Sequence, residues 1–296
     1  MLYLYLILAA ACYGTHLDYS VKCGGAVSIG PSAFVLGSIE SGGALTIGNS
    51  SHVYSNLVQS VGATSFDDYV YMSTNGIIVG GALIIGDMNE ISVLEKSFVE
   101  GALTIGKYTV VNSTVSVVGA FTMGQETSCN DKNVQPCETS GLFPDHVSTG
   151  FNIGIRRDVP TSSPALENFI ELYGKRELPP GKYMHSAAWS LPAGETMTFN
   201  GTLDDEWVIY IEGTAVINGD MKLIGAAQAK NIYWVVNGAF STTTHSIVIG
   251  NVISVGAISI GPESNVLGSL YSNGACNVGA LTRIETGSVP HSLLFI

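Results

Sequence analysis

The sequence predicts an all-β protein, a β-solenoid (β-helix) in which each coil is one short repeat. Three observations predict it: a Gly-Ala dipeptide that recurs at a nearly fixed interval, apolar alternation after each copy, and a composition with 35 Gly and only 12% charged residues. A unit this short cannot bury its own apolar face, whereas a stack of such units can. Each repeat is therefore predicted to form one coil of a spiral.

The Gly-Ala copies set the period. The nine copies that keep this interval begin at Gly25, Gly43, Gly62, Gly81, Gly101, Gly119, Gly238, Gly256 and Gly274. The intervals between successive glycine numbers are 18, 19, 19, 20 and 18 in the first half and 18 in the second half. In Gly42–Gly48, Leu45 and Ile47 alternate with Ala44 and Thr46, which is the pattern of a half-buried strand.

The period is interrupted in the middle of the chain. We expect one domain over 15–296, with N-terminal coils (15–124), a cap or crossover loop (125–163), one helix (164–178) and C-terminal coils (179–296). Ser163 as N-cap and Pro164 at the first helical position favour a helix start. An apolar stripe at helical spacing follows, and Pro179-Pro180 ends it. The stripe consists of Leu166, Phe169, Ile170 and Tyr173.

Two distant segments resemble each other. Ile29–Gly48 and Ile260–Gly279 are identical at eleven of twenty positions, although they lie at opposite ends of the chain. One interpretation is that they are neighbouring coils, so that the coils do not stack in chain order.

The first residues and the cysteines indicate a secreted protein. Residues 1–14 resemble a secretory signal peptide, with a lipid-attachment site at Cys12 as the lesser alternative. Of the remaining cysteines, Cys129 and Cys137 enclose a short loop and are the favoured disulfide, while Cys23 and Cys276 are a second possible pair. Sequons at Asn49, Asn112 and Asn200 are compatible with a glycoprotein.

The net charge of −12 argues against nucleic acid or an anionic membrane as a partner. Asp204, Asp205 and Glu206 form the densest acidic cluster, in a pattern typical of a solvated turn. The histidines lack metal-ligand spacing. We therefore predict neither an enzyme nor a cofactor or metal.

Leu178–Leu281 resembles the secreted ice-binding protein family of microorganisms. The stretches that carry the resemblance are LPPGKY (178–183), WVIYIEGT (207–214), IGAAQAKNIYWVV (224–236) and GNVISVGAISIGPESNVLGSLYSNGACNVGA (250–280). The resemblance implies a right-handed, triangular solenoid with a helix along one side and a discontinuous stack. It also implies ice binding. The six regular coils before the helix depart from the family, which usually has fewer, and surface-anchored solenoids without known ice activity share the layout.

The candidate ice-binding (antifreeze) surface is the outward side of the Gly-Ala strands. If the large apolar residues point inward, two columns of small uncharged residues point outward. Nine coils would give a strip ~40 Å long. The predicted site is Ala26, Ser28, Ala44, Thr46, Ala63, Ser65, Ala82, Ala102, Thr104, Ala120, Thr122, Ala239, Ser241, Ala257 and Ser259, in columns that also contain Ile84, Ala275 and Asn277.

The sequence therefore predicts a secreted, extracellular and monomeric protein whose partner is an ice crystal surface. Two alternatives to an ice-binding role for this surface remain open. The small residues are explained equally well by the packing of a tight solenoid wall, whatever its function. Otherwise, the predicted helix covers this surface. The alternative function is a structural or adhesive extracellular solenoid without ice activity.

Overall fold

The computed structural model describes residues 19–113, 115–129, 170–172 and 174–286, without the side chains of Lys96, Ser128 and Cys129. These residues form a three-sided β-solenoid in which neighbouring coils pair through parallel strands. The predicted fold class is confirmed. The predicted signal peptide (1–14) lies outside the described residues.

One side of the solenoid, the Gly-Ala face, is an eleven-stranded sheet of three-residue strands. From one end of the stack to the other, its strands are Phe121–Met123, Leu103–Ile105, Leu83–Ile85, Thr64–Phe66, Leu45–Ile47, Val27–Ile29, Cys276–Val278, Ile258–Ile260, Phe240–Thr242, Ala215–Ile217 and Trp189–Leu191.

The second and third sides form one 21-stranded sheet, because three long strands, His52–Ser60, Tyr71–Val79 and Glu90–Val99, run along both sides. The other strands of the second side are Ser128–Cys129, Val110–Asn112, Phe34–Leu36, Arg283–Glu285, Asn265–Leu267, Ile247–Ile249, Asp220–Gly225, Thr196–Gly201 and Glu177–Leu178. Those of the third side are Val115–Val117, Ser38–Ser41, Tyr19–Cys23, Leu270–Ser272, Asn251–Ser254, Ile232–Val236, Trp207–Ile211, Gly181–His185 and Ile170–Glu171.

The core runs along the axis as ladders of inward side chains. On the Gly-Ala face the first and third residues of most strands are buried and the middle one is not, as in Val27–Ile29. Buried hydroxyl groups donate to main-chain carbonyls at the corners: Thr109 Oγ1 donates to Gly86 O at 2.8 Å and Ser264 Oγ to Thr243 O at 3.0 Å. These two buried hydroxyl groups thus keep their hydrogen bonds.

The stack is not in chain order, as predicted. One coil is composite: Cys276–Val278 and Arg283–Glu285 provide two of its sides, and Tyr19–Cys23 provides the third. The matching segments Ile29–Gly48 and Ile260–Gly279 are therefore two coil steps apart, with the composite coil between them, rather than direct neighbours.

The predicted helix (164–178) is wrong over its described part, while 164–169 and Tyr173 lie outside the described residues. Ile170–Glu171 is a strand paired with Tyr183–Met184, and Glu177–Leu178 pairs with Thr198–Phe199. Gly174 turns the chain between them with φ 71°. The adjoining coil supplies the backbone hydrogen bonds, and Leu172 is buried in the core. This tertiary pairing outweighs the local helical pattern.

The disulfide in the described structure joins Cys23 and Cys276, 253 residues apart in sequence. Cys137 and the side chain of Cys129 lie outside the described residues, so the Cys129–Cys137 pair stays a prediction. Within the described ranges the helix is a single 3₁₀ turn, Ala229–Asn231, and no helix there is long and apolar enough to cross a membrane.

Candidate functional site

The middle residues of the eleven strands form the central column of the Gly-Ala face. Strand pairing aligns them along the whole stack. In stack order they are Thr122, Thr104, Ile84, Ser65, Thr46, Ser28, Asn277, Ser259, Ser241, Val216 and Ser190. The side chains are exposed or half-buried.

A second column lies two residues earlier in each coil. Its backbone carbonyls form a ladder with the next coil: Leu45 N donates to Ala63 O at 2.9 Å, and Cys276 N donates to Ala26 O at 2.9 Å. Its members are Ala120, Ala102, Ala82, Ala63, Ala44, Ala26, Ala275, Ala257, Ala239, Thr214 and Ala188. The two columns are ~6.7 Å apart, and eleven strands at strand spacing make the face about 48 Å long.

Glycines flank the two columns because the neighbouring coil leaves no room for a side chain. A Cβ at Gly101 would lie 2.6 Å from the backbone of Gly81, and one at Gly261 would lie 2.3 Å from the carbonyl oxygen of Thr243. The glycine columns are thus a packing requirement of the coil, whereas the Ala and Ser/Thr columns point away from the core. The latter two columns therefore offer most of the side chains that a ligand could contact.

Charge is nearly absent from this face. Across its two columns and the two flanking them, the charged residue among those described is Asp67, which stands in a column otherwise rich in glycine. Other charges begin at the corners. There, the Asp68 Oδ1 accepts a hydrogen bond from Asp87 N at 2.7 Å, and Glu100 is exposed at the opposite rim.

The second side is chemically different. Its outward positions hold Glu90, Asp220 and rings in contact, such as Phe34 with Tyr54 and Tyr54 with Tyr71, whose centroids are 5.7 and 5.6 Å apart. The Arg283 guanidinium lies 4.7 Å from the centre of the Phe34 ring. This side is charged and bulky, unlike the Gly-Ala face.

The third side is also bulky. Its outward column contains the Lys22–Glu40 ion pair, 2.8 Å long, and farther down the stack Met184, Tyr210, Val235, Ile253 and Tyr271. Burial raises the pKa of Tyr183 and Tyr210 above the ordinary tyrosine value, and the Glu212 carboxylate adds to the rise at Tyr210. The described residues contain no group of three His, Cys, Asp or Glu side chains that could hold a metal ion.

All fifteen predicted site residues lie in the two outward columns. Two further coils, not predicted from the sequence, add Thr214 with Val216 and Ala188 with Ser190 to these columns. Their signal is faint, because Gly213-Thr214 and Ala187-Ala188 stand where other coils have Gly-Ala. The acidic cluster lies in a turn, where the Asp205 Oδ2 accepts a hydrogen bond from Thr202 N at 2.6 Å.

The fold and the Gly-Ala face together define the class of protein: a discontinuous β-solenoid with one long, flat, almost uncharged face. Residues 145–282 match the family model described as "Ice-binding-like". This part of the chain is therefore similar to that family.

Two relatives come from Typhula ishikariensis. "Ice-binding protein K1-A" is 44% identical over 82 residues, covering 25% of this chain and 32% of that protein, so the chain spans about a third of its length. "Ice-binding protein K3-B1" is 28% identical over 195 residues, covering 60% and 76%. A solved ice-binding protein from an Antarctic biological consortium is 15% identical, with TM-score 0.49 over 92% of this chain and 88% of that one.

Proposed function

We propose that this protein binds ice through the Gly-Ala face and thereby inhibits ice growth or recrystallisation. The observation that carries the proposal is the pair of adjacent outward columns, small and uncharged, on a parallel sheet eleven strands long. The match of residues 145–282 to the ice-binding-like family model supports it.

The physical basis is the ordering of water next to a regular surface. Methyl groups such as that of Ala102 leave the surrounding water cages undisturbed, while hydroxyl groups such as that of Thr104 hold water at fixed spacing. A charge would bind its own hydration shell and disrupt this order. A rigid solenoid loses little entropy on contact, so many weak contacts add up along the face.

Thr104→Arg tests the site, with Thr196→Arg as the matched control. Both threonines are exposed and outward, but Thr196 lies on the second side, where it pairs in register with Asp220. Ice recrystallisation and ice-shaping are measured on purified wild-type and variant proteins, with circular dichroism to verify folding. We expect Thr104→Arg to abolish or strongly reduce activity and Thr196→Arg to retain it.

Two results would contradict the proposal. Equal activity of wild type and folded Thr104→Arg would exclude the Gly-Ala face as the site. A wild-type protein without ice activity would exclude the function itself and favour the alternative, a structural or adhesive solenoid.

The proposal includes the setting of the protein. The chain acts as a secreted, extracellular monomer, one solenoid domain from residue 15 onward after removal of the 1–14 signal peptide, and it has no enzymatic activity. Mass spectrometry of the secreted protein checks the cleavage site and any glycan on Asn49, Asn112 or Asn200. Sedimentation checks the monomer.

A further inference from the structure

The Gly-Ala face is assembled from two parts of the chain. Six of its strands come from 27–123 and five come from 189–278. They meet where Val27–Ile29 pairs with Cys276–Val278, near the middle of the face. We call this junction the seam.

The seam lacks the link that joins other neighbouring coils. Elsewhere in the regular coils the backbone passes through a corner from one coil to the next. In the composite coil next to the seam, Thr286 and Tyr19 lie in adjoining positions on the second and third sides but at opposite ends of the described sequence. Along the backbone, the two halves are connected only through residues 130–169.

Hydrogen bonds across the seam are nevertheless of ordinary length. Gly25 N donates to Gly274 O at 2.9 Å, and Gly30 N donates to Val278 O at 2.7 Å. Elsewhere on the face, Gly256 N donates to Gly238 O at 2.9 Å. The outward columns therefore continue across the seam, from Ser28 to Asn277, in the same register as in the other coils.

The disulfide lies directly beneath this junction. Cys23 and Cys276 are both buried, with a Cα–Cα distance of 6.1 Å, and Cys276 immediately precedes the outward Asn277. At the position of Cys23, neighbouring coils have serines whose hydroxyls bond to corner carbonyls, as Ser254 Oγ does to Gly238 O at 2.7 Å. The coil corner itself therefore accepts serine at this position and does not require a thiol.

We propose that the Cys23–Cys276 disulfide replaces the missing backbone link and holds the two halves of the Gly-Ala face in one plane. The two cysteines are positioning residues for ice binding, and this inference rests on the proposed function. Without the bond, relative motion at the seam would leave two shorter strips that contact ice less cooperatively.

The test is the double variant Cys23→Ser/Cys276→Val, which introduces the residue types of adjacent coils. Its matched control is Ser254→Ala/Ile258→Val, which changes the same two column positions where the backbone is continuous. Ice recrystallisation is measured near 0 °C, where circular dichroism must show both variants folded. We expect the seam variant to lose roughly tenfold in activity, because linked sites lose avidity when uncoupled, and the control to retain wild-type activity.

Several results overturn the inference. A folded seam variant with wild-type activity overturns the inference but leaves the proposed function intact. An equal loss of activity in the control variant has the same consequence. An inactive wild-type protein removes both. If the seam variant does not fold, folded wild-type protein is instead titrated with a reductant at 0 °C. The fraction of molecules whose Cys23–Cys276 disulfide is reduced is then measured by alkylation of the free thiols. The inference requires ice-binding activity to fall as the reduced fraction rises. Unchanged activity in folded, fully reduced protein would overturn the inference.

Discussion

The N-terminal and C-terminal halves of the Gly-Ala face rest on different interiors. N-terminal coils are short and regular, and their cores are mainly aliphatic, as with Ile39 and Val58. In the C-terminal half, the successive column positions Ala188, Thr214 and Ala239 are more widely spaced along the chain. These larger coils are filled by aromatic rings, including Trp189 and Trp234, whose ring centroids are 5.6 Å apart.

Despite this difference, the two halves present the same outer columns. A wider coil needs larger inward side chains, because protein interiors are close-packed. Nothing in that packing dictates what points outward on the Gly-Ala face, yet small uncharged residues recur there in both halves. The two halves thus share their outer columns and not their interiors. This is expected if the outer columns carry the function.

Trp234→Ala is expected to have the largest effect on stability, about 3–5 kcal/mol. The side chain is fully buried, and its Nε1 donates to Ile249 O at 3.0 Å, so the variant creates a cavity and leaves a buried carbonyl short of a partner. In the aliphatic half, Ile39→Val should cost only about 0.5–1.5 kcal/mol. Urea denaturation measures both. Equal losses would contradict the expectation that the buried ring of Trp234 contributes more to stability than the methyl group removed from Ile39.

A smaller effect, of opposite sign, is expected at the corners. Met88 has φ 56° and is exposed, so its side chain adopts a strained left-handed backbone without much burial to offset it. Met88→Asn should stabilise the protein by about 0.5–1 kcal/mol, because Asn tolerates this conformation better.

The corresponding corner of the C-terminal half offers the comparison. His245 has φ 62°, but its Nε2 lies 2.7 Å from a Glu263 carboxylate oxygen. In His245→Asn the gain is offset by loss of this exposed contact, so we expect a change near zero. Melting temperatures of the two variants measure the difference. A destabilised Met88→Asn would mean that the methionine side chain contributes packing at its corner.

The halves also differ in how much the sequence could predict. The N-terminal coils were predictable because each carries its own Gly-Ala copy, and the period places Thr46 or Thr104 directly in the outward column. The coils of Thr214 and Ala188 were not, because long coils and altered dipeptides hide the period. Their place follows only from strand pairing with Phe240–Thr242 and its neighbours.

Non-local contacts account for the remaining differences between the sequence-based predictions and the structure. The helix prediction over 164–178 used spacing within one segment, but Ile170–Glu171 pairs with a strand of another coil. The Cys23–Cys276 bond depends on which coils adjoin, and the internal match of Ile29–Gly48 with Ile260–Gly279 gave the order of the stack only approximately. Such long-range neighbours are not encoded in local pattern.

The smallest predicted effect concerns Asp67, a charge on the N-terminal half of the face where the described C-terminal half has none. Its column neighbours are Gly48 and Gly86, so its carboxylate binds a hydration shell on a surface that is otherwise neutral.

If the face binds ice, Asp67→Asn should modestly raise ice recrystallisation inhibition, since the amide keeps the size of the side chain and removes its charge. Asp68→Asn is the control: it lies at the corner and retains an oxygen that can accept from Asp87 N. A gain in Asp67→Asn alone supports contact with ice at this column. Unchanged activity in Asp67→Asn, or equal gains in both variants, would place the column outside the contact and narrow the site to the Ala and Ser/Thr columns. Lower activity would contradict the expectation that the charge disturbs the contact with ice.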